Sequence, residues 1–308
     1  MALLFCSEDD DPAAWSAALR ARLPDLDIRV WPELGAPDEI EAALVWLPPP
    51  GLLASLPCLR AVFSLGAGVD AMLRDPTLPD LPLCRMVDPS LTATMAEYVL
   101  ACVLWYHRQF DVYAGQQAQR CWRLHLPRPA AACCVGVMGL GVLGSATASL
   151  LAAHGFSVRG WSRRPRAVAG VETFAGCESL HAFLAASDML VCLLPLTAAT
   201  ENILDAKLFD QLPAGARLIQ VGRGRQLVEA DLLAALDAGR LAHATLDVVR
   251  EEPLPPEHPF WTHPRIRLTP HSASYCQPAT GAALVAENLA RLRDGRPLLH
   301  VVDRRRGY

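Results

Sequence analysis

Three segments in the second half of the chain each set one chemically useful side chain just after a short apolar run. Arg223 stands in Val221-Gly222-Arg223-Gly224, after the run 217–221. Glu252 stands in Asp247-Val248-Val249-Arg250-Glu251-Glu252-Pro253, where the run 244–249 ends. His271 stands in Thr269-Pro270-His271-Ser272, after the run 267–269. Such runs read as buried parallel strands, and open α/β sheets gather their sites at the carboxyl ends of strands. A permanently charged guanidinium can hold a carboxylate and polarise the carbonyl beside it. A histidine can supply a proton near neutral pH, and a carboxylate can orient that histidine. Arg223, Glu252 and His271 are thus the set needed to reduce a carbonyl next to a carboxylate. Singly each has an ordinary alternative: a surface loop Arg, a solvated charge in Arg250-Glu251-Glu252, a structural His. Their order on successive strand ends makes them a site.

A reductant is implied by Gly139-x-Gly141-x-x-Gly144. A buried run, 133–138, precedes it and an amphipathic helix, 141–153, follows. In that context the glycines serve a tight turn, close backbone approach to a pyrophosphate, and helix-on-strand packing. The helix N-terminus favours the phosphate charge. Val142 and Leu143 complete the turn. Leu194 and Pro195, past the strand 188–193, and Val221, Gly222, Arg223 and His271 at later strand ends join the expected cofactor contacts. The next strand ends in Trp161-Ser162-Arg163-Arg164, where an NAD site would carry an acid for the ribose hydroxyls. A hydroxyl and two guanidinium groups suit a ribose 2′-phosphate instead, so NADPH (NADP) is expected in preference to NADH.

Around these motifs the chain alternates strand and helix signals. Strands are expected at 3–5, 27–30, 43–46 and 60–64, with helices at 15–22 and 51–56 between them. A Thr94-x-x-Glu97 capping box predicts a long helix opening there and running to about His107. After the glycine turn, strands are expected at 157–161, 188–193, 217–221, 244–249 and 267–269, and helices at 179–186, 201–212, 229–238 and 278–293. A length of 308 residues suggests two domains. Hydrophobic residues make up 52% and charged ones 19%, which excludes a disordered chain. A net charge of -4 offers no field for nucleic acid or anionic membrane surfaces. The ten cysteines include no Cys-x-x-Cys pair and mostly sit in apolar runs, so neither a metal site nor a disulfide framework is expected. With no signal segment or membrane span in the sequence, a cytoplasmic location is expected.

These stretches, with Leu65-Gly66-Ala67-Gly68-Val69-Asp70, resemble the D-isomer-specific 2-hydroxyacid dehydrogenases. Within that family they are most similar to the glyoxylate/hydroxypyruvate reductase A branch. The resemblance spans nearly the whole chain in the family's order. It implies two doubly wound parallel-sheet α/β domains. A Rossmann cofactor domain, 99–275, is inserted in a flavodoxin-like substrate domain made of 1–98 and the returning helix and tail 276–308. A cleft that closes on substrate is expected with them. The resemblance also implies roles. Arg223 would bind the substrate carboxylate and polarise the 2-oxo group. His271 would donate the proton, and Glu252, with Glu251 as the adjacent alternative, would orient His271 and favour its acid form. Gly66, Ala67 and Gly68 would take the substrate's other carboxylate oxygen, Trp46 would close over the substrate, and Asp247 would receive the nicotinamide carboxamide. The segment 110–128 resembles the arm by which the family forms homodimers.

The implied reaction is NADPH-dependent reduction of glyoxylate or hydroxypyruvate to glycolate or D-glycerate. A bulkier 2-oxo acid such as phenylpyruvate is the alternative, and a nucleotide-sensing corepressor is the rival from another class. The sequence also departs from the family. Gln220-Val221-Gly222 precede Arg223 where Asn, then Ala or Ser, are common, and Gly222 is expected to loosen that turn. Ser272-Ala273-Ser274 follow the histidine.

Overall fold

The computed structural model describes residues 2–308, which form two compact units. One contains the residues up to Leu91 together with Tyr275–Tyr308; the other is Thr92–Ser274.

The first unit holds five strands: β1 (Ala2–Cys6), β2 (Asp27–Val30), β3 (Ile40–Val45), β4 (Ala61–Ser64) and β5 (Leu83–Cys84). They form a parallel sheet in the order β2-β1-β3-β4-β5, the flavodoxin-like winding. Every residue of β1 and β4 is buried, as expected of parallel strands covered on both faces. On one face Leu4, Ala43, Val45 and Val62 pack with Leu52, Leu56 and Met72. Elsewhere in the unit the helices Pro12–Arg20 and Pro278–Arg293 pack together around the fully buried Trp15.

The second unit holds seven: β6 (Cys134–Met138), β7 (Ser157–Ser162), β8 (Glu172–Ala175), β9 (Met189–Cys192), β10 (Ala216–Gln220), β11 (Leu241–Leu246) and β12 (Ile266–Leu268). All neighbours pair in parallel, in the order β12-β11-β10-β9-β6-β7-β8. This is the Rossmann order extended by one strand, and its winding reverses between β6 and β9. Two cores sandwich the sheet. Leu190, Leu218, Leu246, Phe183, Phe209 and Phe260 build one. Val135, Val191, Ile219, Leu151, Val103 and Tyr106 build the other. Successive residues of β9 and β10 thus alternate between the two cores, as the period of a strand requires.

Some elements differ from the sequence reading. The long helix spans Pro89–His107 and does not open on a Thr94–Glu97 box. Its start is set by the buried Asp88, whose Oδ1 accepts from the amides of Ser90 at 2.8 Å and Leu91 at 3.2 Å, with a proline next in line. The helix expected over 201–212 contracts to Ala206–Phe209. Asn202 takes a left-handed φ of 57° and Asp205 caps the shorter helix, its Oδ1 accepting from Leu208 N at 2.9 Å. Only a 3-10 turn, Leu53–Ser55, forms where 51–56 was expected to be helical. Strands β5 and β8 were not anticipated: β5 has two residues, and β8 is a half-exposed edge with weak apolar signal. Among the described residues no helix is long and apolar enough to cross a membrane.

Candidate active site

The glycine turn leaves β6 at the point where the sheet winding reverses. Gly139 has a φ of 103°, a conformation side chains resist, and a Cβ there would lie 2.7 Å from Leu193 O. A Cβ on Gly144 would lie 1.7 Å from Gly139 O, so only glycine lets the helix Val142–Ala153 pack this closely. Gly141 caps that helix and is exposed, with nothing within 4 Å of where its Cβ would stand. Open space before a helix N-terminus is what a bound pyrophosphate requires. Val142 is exposed and Leu143 half-buried beside it. Leu194 and Val221 are buried, while Pro195 is half-buried.

Beyond β7, Ser162 donates from Oγ to Arg164 O at 2.7 Å, folding the Ser-Arg-Arg segment into a turn that leaves Arg163 and Arg164 exposed. Trp161, an expected cofactor contact, lies near the end of β7. Its side chain is 7% exposed, packed in the core, with Nε1 bonded to Gly176 O at 2.9 Å. Only its carbonyl reaches the glycine turn, accepting from Gly139 N at 2.8 Å. An aromatic that follows a run of strand residues satisfies the core first.

The ends of β10, β11 and β12 bring Arg223, Glu252 and His271 together. Gly224 explains the first approach: a Cβ there would lie 1.8 Å from Val249 O, so the loops carrying Arg223 and Glu252 touch backbone to backbone. Glu252 Oε1 accepts from Val249 N at 3.0 Å, and its Oε2 accepts from His271 Nδ1 at 2.8 Å. Burial pushes the Glu252 carboxyl up, but the His271 hydrogen bond and charge, the Val249 amide and the Arg223 guanidinium outweigh it. The group is held below its ordinary value. Nδ1 is thus committed to a carboxylate, which fixes the orientation of the ring. His271 itself has a φ of 51°, unusual for a residue with a side chain and characteristic of functional positions.

That strained turn is anchored by Asp247, which is 3% exposed. Its carboxylate accepts from Thr269 Oγ1 at 2.6 Å, Ser272 N at 2.8 Å and Ala273 N at 2.9 Å, and its carbonyl accepts from His271 N at 2.8 Å. The sequence suggested a cofactor contact here; the structure adds four bonds that fix the histidine. Arg250 was not anticipated. It donates to Leu227 O at 2.7 Å and to Asn202 Oδ1, joining the loops after β10 and β11. Gln220 and Gln226, both fully buried, were missed as well. A glutamine at the end of an apolar run is the signal the sequence offered for Gln220; Gln226, after Arg223-Gly224-Arg225, offered none.

The remaining expected substrate contacts lie in the first unit. Trp46 follows β3 and the 66–68 segment follows β4. The Trp46 ring covers Gly66, where an added Cβ would stand 2.4 Å from the indole. Gly66, Ala67 and Gly68 are half-buried.

Such a glycine turn and strand-end constellation define a nucleotide-dependent dehydrogenase. Residues 100–273 match the model of the D-isomer specific 2-hydroxyacid dehydrogenase, NAD binding domain. The chain belongs to the D-isomer-specific 2-hydroxyacid dehydrogenase family. It is 45% identical to a glyoxylate/hydroxypyruvate reductase A of Yersinia enterocolitica, over 100% of both chains. Among solved structures it resembles a D-isomer specific 2-hydroxyacid dehydrogenase of Xanthobacter autotrophicus in complex with NADPH and MES. That TM-score is 0.96 at 46% identity, covering 100% of this chain and 99% of the other. It also resembles an NADPH-dependent glyoxylate/hydroxypyruvate reductase of Sinorhizobium meliloti in complex with NADP and sulfate. There the TM-score is 0.93 at 41% identity, covering 100% of both.

Proposed function

We propose that this chain is a cytoplasmic reductase of small 2-oxo acids, converting glyoxylate to glycolate and hydroxypyruvate to D-glycerate with NADPH. One observation carries the reading: the Glu252–His271 pair stands beside Arg223 at the strand ends of a sheet that also bears the glycine turn. The residues suit the cofactor. The open helix N-terminus at Gly141 and Val142 would hold the pyrophosphate, and Ser162, Arg163 and Arg164 the ribose 2′-phosphate. Leu194, Pro195, Val221 and Gly222 line the expected course of the cofactor. When bound, the reduced nicotinamide supplies the hydride that reaches the 2-carbon.

The chain's own part is read from these residues together with the family resemblance. Arg223 binds the carboxylate and draws charge toward the 2-oxo oxygen. His271 Nε2 gives its proton to that oxygen as hydride reduces the carbonyl, so the new 2-hydroxyl forms uncharged while the product keeps its carboxylate. Glu252 keeps the imidazole ring oriented and compensates the charge that His271 carries before transfer. Trp46, Gly66, Ala67 and Gly68 are proposed as further substrate contacts.

The names of the relatives support the substrate and cofactor. Assay with glyoxylate, hydroxypyruvate and phenylpyruvate, each with NADPH and NADH, tests the reading. A clear preference for the aromatic acid would overturn the substrate. Tight NADPH binding without turnover of any 2-oxo acid would favour a sensing role.

A homodimer built by the 110–128 segment belongs to the same proposal. After the helix Phe110–Ala118 the chain presents Trp122 at 103%, Leu124 at 76% and Leu126 at 81% exposure, an apolar display that a partner surface would cover.

A further inference from the structure

We propose that Gln226 is a positioning residue for Arg223, and that Gly222 is glycine because the Gln226 amide fills the space of a side chain at 222. The inference rests on the reading of Arg223 as the carboxylate-binding group.

Gln226 is fully buried, and every polar atom of its side chain is engaged. Its Oε1 accepts from Arg223 N at 2.8 Å and from Gln220 Nε2 at 3.3 Å. Its Nε2 donates to Leu194 O at 2.9 Å and Pro195 O at 3.1 Å. One amide therefore ties the backbone of Arg223 to the loop after β9, whose two residues are expected cofactor contacts. Gln220, also fully buried, holds the other side, donating to Arg223 O at 2.9 Å and accepting from Gly222 N at 3.3 Å. The Arg223 peptide is gripped at both its N–H and its C=O.

Gly222 completes the arrangement. Its φ is not in the left-handed range, so the backbone does not demand glycine there. Space does: a Cβ would lie 2.4 Å from Gln226 Oε1, the nearest atom, and 3.1 Å from Leu194 O. A methyl at 222 and an amide at 226 exclude one another. The glycine that was expected to loosen the turn instead admits the group that locks it. Removing the amide would take a partner from the Arg223 N–H and from the carbonyls of Leu194 and Pro195, of which Pro195 O keeps Thr200 Oγ1 at 2.6 Å.

Kinetics of variants test this. Gln226→Leu keeps the volume and deletes the polar atoms. It should raise KM for the oxo acid about tenfold with a smaller fall in kcat, while NADPH Kd by fluorescence titration changes far less. Gly222→Ala should give a similar loss. In the chain carrying both Gly222→Ala and Gln226→Ala, kcat/KM should lie far closer to Gln226→Ala alone than to the product of the two single losses, because the nearest clash partner has gone and only the 3.1 Å approach to Leu194 O remains. Losses that multiply would overturn the proposal, as would an unchanged KM in Gln226→Leu. If Gln226→Leu fails to fold, the Gly222→Ala and Gln226→Ala cycle decides. Arg223→Ala is the control that separates the two readings. An unchanged KM there sinks the role of Arg223; a raised KM there with no coupling between 222 and 226 sinks this inference alone.

Discussion

His271 Nδ1 and Glu252 Oε2 lie 2.8 Å apart, although the two residues end different loops of the same sheet. The carboxylate accepts a hydrogen bond from Nδ1, which under the proposed function leaves Nε2 to face the substrate. The backbone helps, since Asp247 holds His271 through its carbonyl and the following two amides through its carboxylate.

Replacing the proton donor is the first consequence. His271→Ala should lower kcat by about 10²–10⁴, with NADPH Kd nearly unchanged in a fluorescence titration. Retained turnover would remove His271 from the reaction.

Glu252 gives a pH signature. Its folded pKa lies below the unfolded value, so the pair stabilises the fold above the ordinary glutamate range. That contribution is lost only as pH falls through the lowered value. The melting temperature of Glu252→Gln should therefore fall short of wild type near neutrality, with the gap shrinking below about pH 4.5. A gap that persists unchanged into acid would assign the effect to packing instead.

The cofactor preference resides beyond β7. Arg163→Ala should weaken NADPH binding by about tenfold or more, the scale of a lost charge-assisted contact, while NADH binding stays nearly constant. Equal losses for both would exclude a 2′-phosphate role for Arg163.

Gly224 marks the closest backbone approach near the three side chains. Gly224→Ala sets a methyl against Val249 O and should cost about 1–3 kcal/mol of stability, or more. Chemical denaturation reads it, and activity should fall further than stability because the Arg223 and Glu252 loops are pushed apart. A variant as stable and active as wild type would contradict the close approach.

The three convergent side chains were legible because each directly follows an apolar run, and a parallel sheet gathers such ends. The glycines were legible for the same reason, sitting between a buried strand and a helix. What supports them was not. Gln226, Asp247 and Arg250 act on backbone atoms supplied by other loops, and no local pattern announces such partners. Gly222 was misleading in isolation, since its meaning depends on Gln226 four residues later. Trp161 lies near the end of β7 and was read toward the cofactor; its ring packs in the core. In the fold, parallel strand–helix units were readable from alternation and the winding of the sheets from the family resemblance, whereas the edge strand β8 and the Asp88 cap lacked a periodic signal.

Assembly offers an independent check. Trp122→Ser combined with Leu126→Ser should shift sedimentation toward a monomer without unfolding the chain, given how far both side chains stand from any core. A wild-type chain that already sediments as a monomer would contradict the arm's proposed role.

The central claim is that Arg223, Glu252 and His271 serve a 2-oxo acid with hydride from NADPH. Steady-state kcat/KM for glyoxylate and hydroxypyruvate, measured with NADPH and NADH, tests it most directly. The predicted result is turnover of both acids, with NADPH favoured by roughly tenfold or more. Absence of turnover with either acid, or a preference for NADH, would contradict it.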